Sequence, residues 1–315
     1  MQLPAMAAWA WIPIVIWAAL AQTIRNTAQR SLTAELGTVA ATLVRFLYGL
    51  PFALAWLLLV MQLLPSSSNT PASITPVFGG AYFAWLFLGA IAQIAATSFL
   101  LLAMKERNFV VSVAFAKTEV LQVALFATVF LSEVPSLWAA LAIAVSTVGV
   151  LMLSIPKAAA APQAGSGTWL GRSAWFGLAA GAGFALASVG YRGAALALPG
   201  VSPWLIGAWG VVLAQLLQTV LLGGWISARA PALLGKIARA WRVSTIAGAM
   251  GALASIGWFT AFALRPAVDV KTLSLIEVLF SYLVSRKLFD EPISRVEKIG
   301  LSLITLGLLV ISAQF

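Results

Sequence analysis

Ten apolar stretches, each of about 20 residues, fill most of this 315-residue chain. A run of that length crosses the roughly 30 Å hydrocarbon core of a bilayer as an α-helix, and a helix satisfies its own backbone where no water can. The runs predict an all-α membrane protein with ten transmembrane helices. They lie near residues 8–28, 38–63, 77–104, 109–131 and 136–155, then 169–190, 202–227, 243–264, 270–289 and 296–314. With 62% hydrophobic and 9% charged residues and a mean hydropathy of +1.00, the chain is too apolar for a soluble domain. Residues 1–8 contain no Lys or Arg, so the first run is expected to stay as a helix and not to be cleaved as a signal peptide.

A Pro, Ala and Gly-rich linker at 156–168 separates a first unit, 1–155, from a second, 169–315, with five predicted spans in each. At an offset of 158 residues, Glu119-Val120-Leu121 matches Glu277-Val278-Leu279, Glu133 matches Glu291, and Gly149 matches Gly307. Apolar bias yields chance matches of Leu and Val, but not two glutamates 14 residues apart in both halves. An odd number of spans per half inverts the second copy. The expected architecture is therefore two inverted five-helix repeats around a central cavity, with a shared site near the midplane.

Charge sets the orientation and removes several classes of function. The net charge of +10 comes from basic residues in short loops, a pattern that suits anionic lipid headgroups and not nucleic acid. Fourteen of them, Arg25 and Arg30 included, fall on one predicted side, against Arg192, Arg265 and Lys271 on the other. The richer side is read as cytoplasmic, which puts both termini outside the cytoplasm. With no Cys and no His, the chain lacks thiol nucleophiles, imidazole metal ligands and histidine relays. Asp occurs only at Asp269 and Asp290, and there is no Walker A motif. An enzyme, a metal or other cofactor, and an ATP-driven pump are therefore not expected.

Glu119 and Glu277 lie near the centres of predicted spans four and nine. A carboxylate at that depth costs about 2.5–3.5 kcal/mol on the mildest insertion scale, so the pair is read as facing one cavity and binding a proton, a cation or a substrate ammonium. Burial with local partners, Ser274 and Ser281 for Glu277 and Gln122 for Glu119, is the alternative. Arg45 and Lys117 sit toward the predicted cytoplasmic side of their spans and suit a carboxylate or phosphate. Their alternatives are an ion pair of Arg45 with Glu119 and snorkelling of Lys117. Lys117 and Glu119 are two apart on one helix, so they are expected to point in opposite directions and not to pair. Gln93, and with less weight Gln22 and Asn26, are candidate hydrogen-bonding groups. Trp258, Trp85 and Tyr282 lie deep enough to stack on a substrate, whereas Trp9, Trp11, Trp138, Trp225 and Trp241 fit the interface belt. The glycines of spans six and eight read as close-packing positions.

Arg45 within Leu43-Val44-Arg45-Phe46, the mid-span glutamates, and the turns Leu131-Ser132-Glu133 and Phe289-Asp290-Glu291, each leading to a span with a late glycine, make the chain resemble the EamA-type branch of the drug/metabolite transporter superfamily. The likeness runs over essentially the whole chain. Val120 and Val278 depart from it where the family often has Pro. The resemblance implies a secondary transporter of the bacterial inner membrane that exports a small polar or amphipathic metabolite, such as an amino acid, by alternating access. Its drive would be protons, exchange or the substrate gradient, and its working form a monomer or homodimer. A translocase for lipid or lipid-linked sugar is the alternative, followed by a non-transporting scaffold.

Overall fold

Runs this apolar have one way to satisfy their backbone in lipid, and all regular structure among the described residues is helical. The structure, a computed structural model, describes residues 9–63, 76–106, 109–154, 172–288 and 295–313. The expected linker at 156–168 and the turn at 289–291 lie outside them. The first half contains α1 (Trp11–Leu36), α2 (Thr38–Leu47), α3 (Leu50–Leu63), α4 (Gly80–Glu106), α5 (Phe109–Ala116), α6 (Glu119–Leu131) and α7 (Leu137–Ser154). The second contains α8 (Arg172–Leu196), α9 (Pro203–Arg229), α10 (Ala232–Arg239), α11 (Trp241–Leu264), α12 (Ala267–Leu273), α13 (Ile276–Leu288) and α14 (Arg295–Ala313). Among the described residues, five segments are long and apolar enough to cross a membrane: α2 with α3, α4, α8, α9 and α11. This is the architecture of an α-helical membrane protein.

Helix α1 does not join those five because its middle is polar. Gln22, Arg25, Asn26 and Gln29 recur at helical spacing and are all buried, while Trp17, Leu20 and Ile24 are exposed on the other face. The helix is thus apolar outward and polar inward, the reverse of a helix on a water-soluble protein. Trp11, expected at the interface, is buried too. Arg25 is not a loop residue. Without it and Lys271, which is also buried, the two predicted sides hold 14 − 1 = 13 and 3 − 1 = 2 basic residues, so the loop asymmetry is unchanged.

Three segments are interrupted. The break between α2 and α3 falls at Tyr48 and Gly49, where Pro51 cannot donate to the carbonyl four residues back. The other two, α5 to α6 and α12 to α13, break at Lys117–Thr118 and Ser274–Leu275. There the amides of Thr118, Val120, Leu275 and Glu277 bond to carbonyls only three residues back, the tighter 3₁₀ pattern. Glu119 is the first residue of α6 and Glu277 the second of α13, so each glutamate stands in the first turn of a half-helix, where the backbone dipole favours negative charge.

Small residues bring the helices together. A Cβ on Gly190 of α8 would lie 2.8 Å from the Gly89 nitrogen and the Trp85 carbonyl oxygen of α4, and one on Gly183 would lie 2.8 Å from the Ala96 Cβ. Gly257 of α11 meets Ala18 of α1 in the same way. Between α7 and α14 the contact is reciprocal: Gly149 faces the Gly300 carbonyl, and Gly307 faces the Ala142 carbonyl. Gly190→Ala is expected to destabilise the protein by about 1–3 kcal/mol, since it forces backbone against backbone. Gly223→Ala, in the interior of α9 with nothing within 4 Å of the new methyl, should be neutral or stabilise by up to about 1 kcal/mol. Thermal unfolding of the two variants in one detergent separates close packing from general intolerance to substitution.

Candidate functional site

The six charged side chains that are buried among the described residues, Arg25, Arg45, Lys117, Glu119, Lys271 and Glu277, gather in one interior region. Lys117 is its node, with Nζ 3.1 Å from Glu119 Oε1 and 2.6 Å from Glu277 Oε2. Lys271 Nζ lies 3.5 Å from both oxygens of Glu119. A second set of bonds reaches Glu277 from α1: Gln22 Nε2 donates to Oε2 at 2.6 Å and Asn26 Nδ2 to Oε1 at 3.0 Å. Each carboxylate is therefore held by at least two donors, as burial requires.

The pairing of Lys117 with Glu119 overturns the expectation that they diverge. That expectation assumed a continuous α-helix, in which residues two apart lie about 160° apart around the axis. The 3₁₀ turn at Lys117–Thr118 lowers this to about 120°, and the long lysine stem closes the remainder. Lys117 does not snorkel, and Arg45 does not pair with Glu119. Arg45 Nη1 donates instead to Thr97 Oγ1 at 2.8 Å. Glu277 takes none of its expected local partners, since the Ser274 hydroxyl bonds to the Lys271 carbonyl and Ser281 Oγ has no partner among the described residues.

The amides of α1 act as relays. Asn26 Oδ1 accepts from Arg25 Nε and Nη2 at 3.2 and 2.6 Å while its own amide nitrogen donates to Glu277. Gln22 Oε1 accepts from Trp258 Nε1 at 2.9 Å and from Arg25 Nη1 at 3.4 Å. Trp258 also supports Lys271, whose Nζ is 5.1 Å from the indole centroid and about 6 Å from the rings of Phe262 and Phe184. Such contacts favour a cation held away from water. Gln93 accepts from Tyr191 Oη and from Gln218 Nε2, both at 2.8 Å.

Gln22, Gln93, Tyr191, Trp258, Phe262 and Lys271 help line a small hollow with a free volume of about 20 Å³, room for about one water molecule. Of the expected site residues, Glu119, Glu277 and Lys117 are brought into direct contact. Trp258 and Gln93 line the adjoining hollow, and Arg45 lies at the α2 side of the cluster. Tyr282 is half-buried against the apolar core and makes no hydrogen bond among the described residues. Arg25 and Lys271, inside the predicted spans 8–28 and 270–289 but counted with the loop charges, are the two charged members that sequence reasoning missed. The helical spacing of Gln22, Arg25, Asn26 and Gln29 is the signal in the sequence that marks a polar helix face.

At the end of the bundle formed by the C-termini of α6, α8 and α11, a second polar group ties the two halves together. Arg192 Nε lies 2.7 Å from Glu133 Oε1, Arg192 Nη1 donates to the Phe262 carbonyl at 2.7 Å, and the Ala267 amide donates to Glu133 Oε2 at 3.3 Å. At the buried cluster, Lys117→Met is expected to cost about 3–5 kcal/mol of stability, because it strips two buried carboxylates of their shared cation. Combining it with Glu277→Gln should cost less than the sum of the two single changes. A double-mutant cycle on unfolding free energies measures this, and additive losses would mean that the two side chains are energetically independent.

No family model matches the chain, and no curated protein matches it. A solved crystal structure of another protein is similar to it with a TM-score of 0.61 at 15% identity, covering 98% of this chain and 97% of that one. This is a likeness of fold alone.

Proposed function

We propose that the chain is a secondary membrane transporter that moves a small polar or amphipathic metabolite by alternating access, outward across a bacterial inner membrane, and that it does so with ten spans in two inverted repeats. One observation carries this reading: Glu119 and Glu277, which correspond at the 158-residue offset, meet on the single ammonium of Lys117 beside a hollow lined from both halves. Charges buried at such depth mark pathways more often than they serve packing. The repeat is supported by interruptions at corresponding places, α5 to α6 and α12 to α13, and by the reciprocal glycine contact of α7 with α14. Discontinuous helices at a repeat interface are where secondary transporters hold charged cargo.

Alternation requires that one end of the pathway be shut while the other opens. The Glu133–Arg192 pair and its bonds to Phe262 and Ala267 join elements of both halves, and they suit a closure on the predicted outer side. A second reading, translocation of a lipid or lipid-linked sugar, is favoured by one feature. A hollow of about 320 Å³ between α1, α3, α9 and α11 is lined by Trp17, Trp56, Trp204 and Leu253, with no charged residue.

Counterflow into proteoliposomes with a panel of labelled amino acids and organic acids is expected to reveal at least one transported solute. Glu119→Gln should abolish that flux while the protein keeps its fold, and unchanged flux would remove Glu119 from the mechanism. Lipid scrambling without solute flux would favour the second reading. For orientation, single cysteines at Val77 and Arg239 in this Cys-free chain, both exposed, should label from the outer and the cytoplasmic face respectively. Labelling of Val77→Cys only after lysis would reverse the topology.

A further inference from the structure

The buried cluster does not balance its own charge. Four cations, Arg25, Arg45, Lys117 and Lys271, face two carboxylates, Glu119 and Glu277, and 4 − 2 leaves two positive charges in the interior. The two lysines are the groups that contact the glutamates. Among the described residues the arginines hydrogen-bond only neutral groups: Arg25 the amides of Asn26 and Gln22, and Arg45 the Thr97 hydroxyl. A guanidinium does not shed its proton to escape burial, and a buried charge without a counter-charge is costly enough to require one.

The two arginines converge on one spot. A Cβ built on Gly251 of α11 would lie 3.1 Å from Arg45 Cγ and 3.3 Å from Arg25 Cδ, so both stems cross the same bare stretch of helix. Polar atoms in the same region have no partner among the described residues. Arg45 Nε is one, and both atoms of the buried Gln215 amide are others. A Cβ on Gly49 would lie 2.9 Å from Gln215 Oε1 and 2.6 Å from the Arg45 carbonyl oxygen. A guanidinium offers five N–H donors, of which Arg45 uses one among the described residues.

We infer that Arg25 and Arg45 form the recognition site for a dianion, a phosphate monoester or a dicarboxylate, whose two negative charges complete the cluster. This deepens the transporter reading by naming the charge class of the cargo, and it rests on that reading for the word cargo alone. Guanidinium forks match carboxylate and phosphate oxygens in pairs, and the absence of a side chain at Gly251 lets the two arginine stems pass side by side. Lys117, Lys271 and the glutamates then remain the internally paired part of the network.

The test is binding to the purified full-length protein in neutral detergent, read as the thermal unfolding midpoint at constant ionic strength. The probes are glycerol phosphate and succinate, with glycerol and lysine as uncharged and cationic controls. At least one dianion should raise the midpoint saturably while both controls leave it in place. Arg25→Gln and Arg45→Gln should each weaken that binding by about 30-fold or more, the usual effect of truncating a buried charged partner, and Arg45→Lys should weaken it less. A shift by phosphatidate in mixed micelles, with none from the soluble probes, would support the dianion site and identify its source as a lipid headgroup. Absence of any dianion effect on the unmodified protein, or binding unaltered in both glutamine variants, overturns the inference. Dianion binding without flux in proteoliposomes would sink the transporter reading and leave the site standing. Flux of a neutral or cationic solute with no dianion binding would do the opposite.

Discussion

The cost of ionised groups in a low-dielectric interior organises this molecule. Lys117 answers that cost for two carboxylates at once, and much else follows from the need to bring both within reach of one ammonium. Glu119 and Glu277 must come from different halves, each must stand in the first turn of a helix, and α1 must turn a polar face inward to supply the amides that complete Glu277. The interruptions before α6 and α13 are the local means to this end, because an unbroken helix would keep Lys117 and Glu119 on divergent faces.

The sequence repeat covers the glutamates but not the lysines. The glutamates correspond at the 158-residue offset, and so do the glycines that seat α7 against α14. The lysines do not: the position equivalent to Lys117 is Leu275, and the one equivalent to Lys271 is Val113. The matched glutamates are thus served by cations that the sequence repeat does not match.

Much of the fold was legible because hydrophobic length and glycine spacing are properties of single segments. Segments α2 with α3, α4, α8, α9 and α11 emerged where the apolar runs predicted, and the glycines of α8 and α11 lie at close helix contacts. The glutamates stood out as carboxylates with no reason to be in lipid. What escaped was relational. Arg25 and Lys271 fall near the ends of their predicted spans and count only as charges of one side or the other, because a hydropathy window averages around a helix and cannot see which face is inward. The Lys117–Glu119 pair is hidden in the sequence because residues two apart diverge on an unbroken helix and only the 3₁₀ turn brings them together. Gln22 and Asn26 were given little weight, and their value appears only when Glu277, more than 250 residues away, is set beside them.

The glycine seams carry a mechanical consequence. Where α4 meets α8, the ring of Tyr191 seats against Gly89 and that of Trp85 against Gly193, and where α1 meets α11 the Arg25 stem lies against Gly251. Rings and stems set in glycine notches fix the register of the two helices, so such a seam yields only when those side chains change rotamer. Both seams border the hollow beside Lys271, and Tyr191 lines it, so a rotamer change there reshapes its walls.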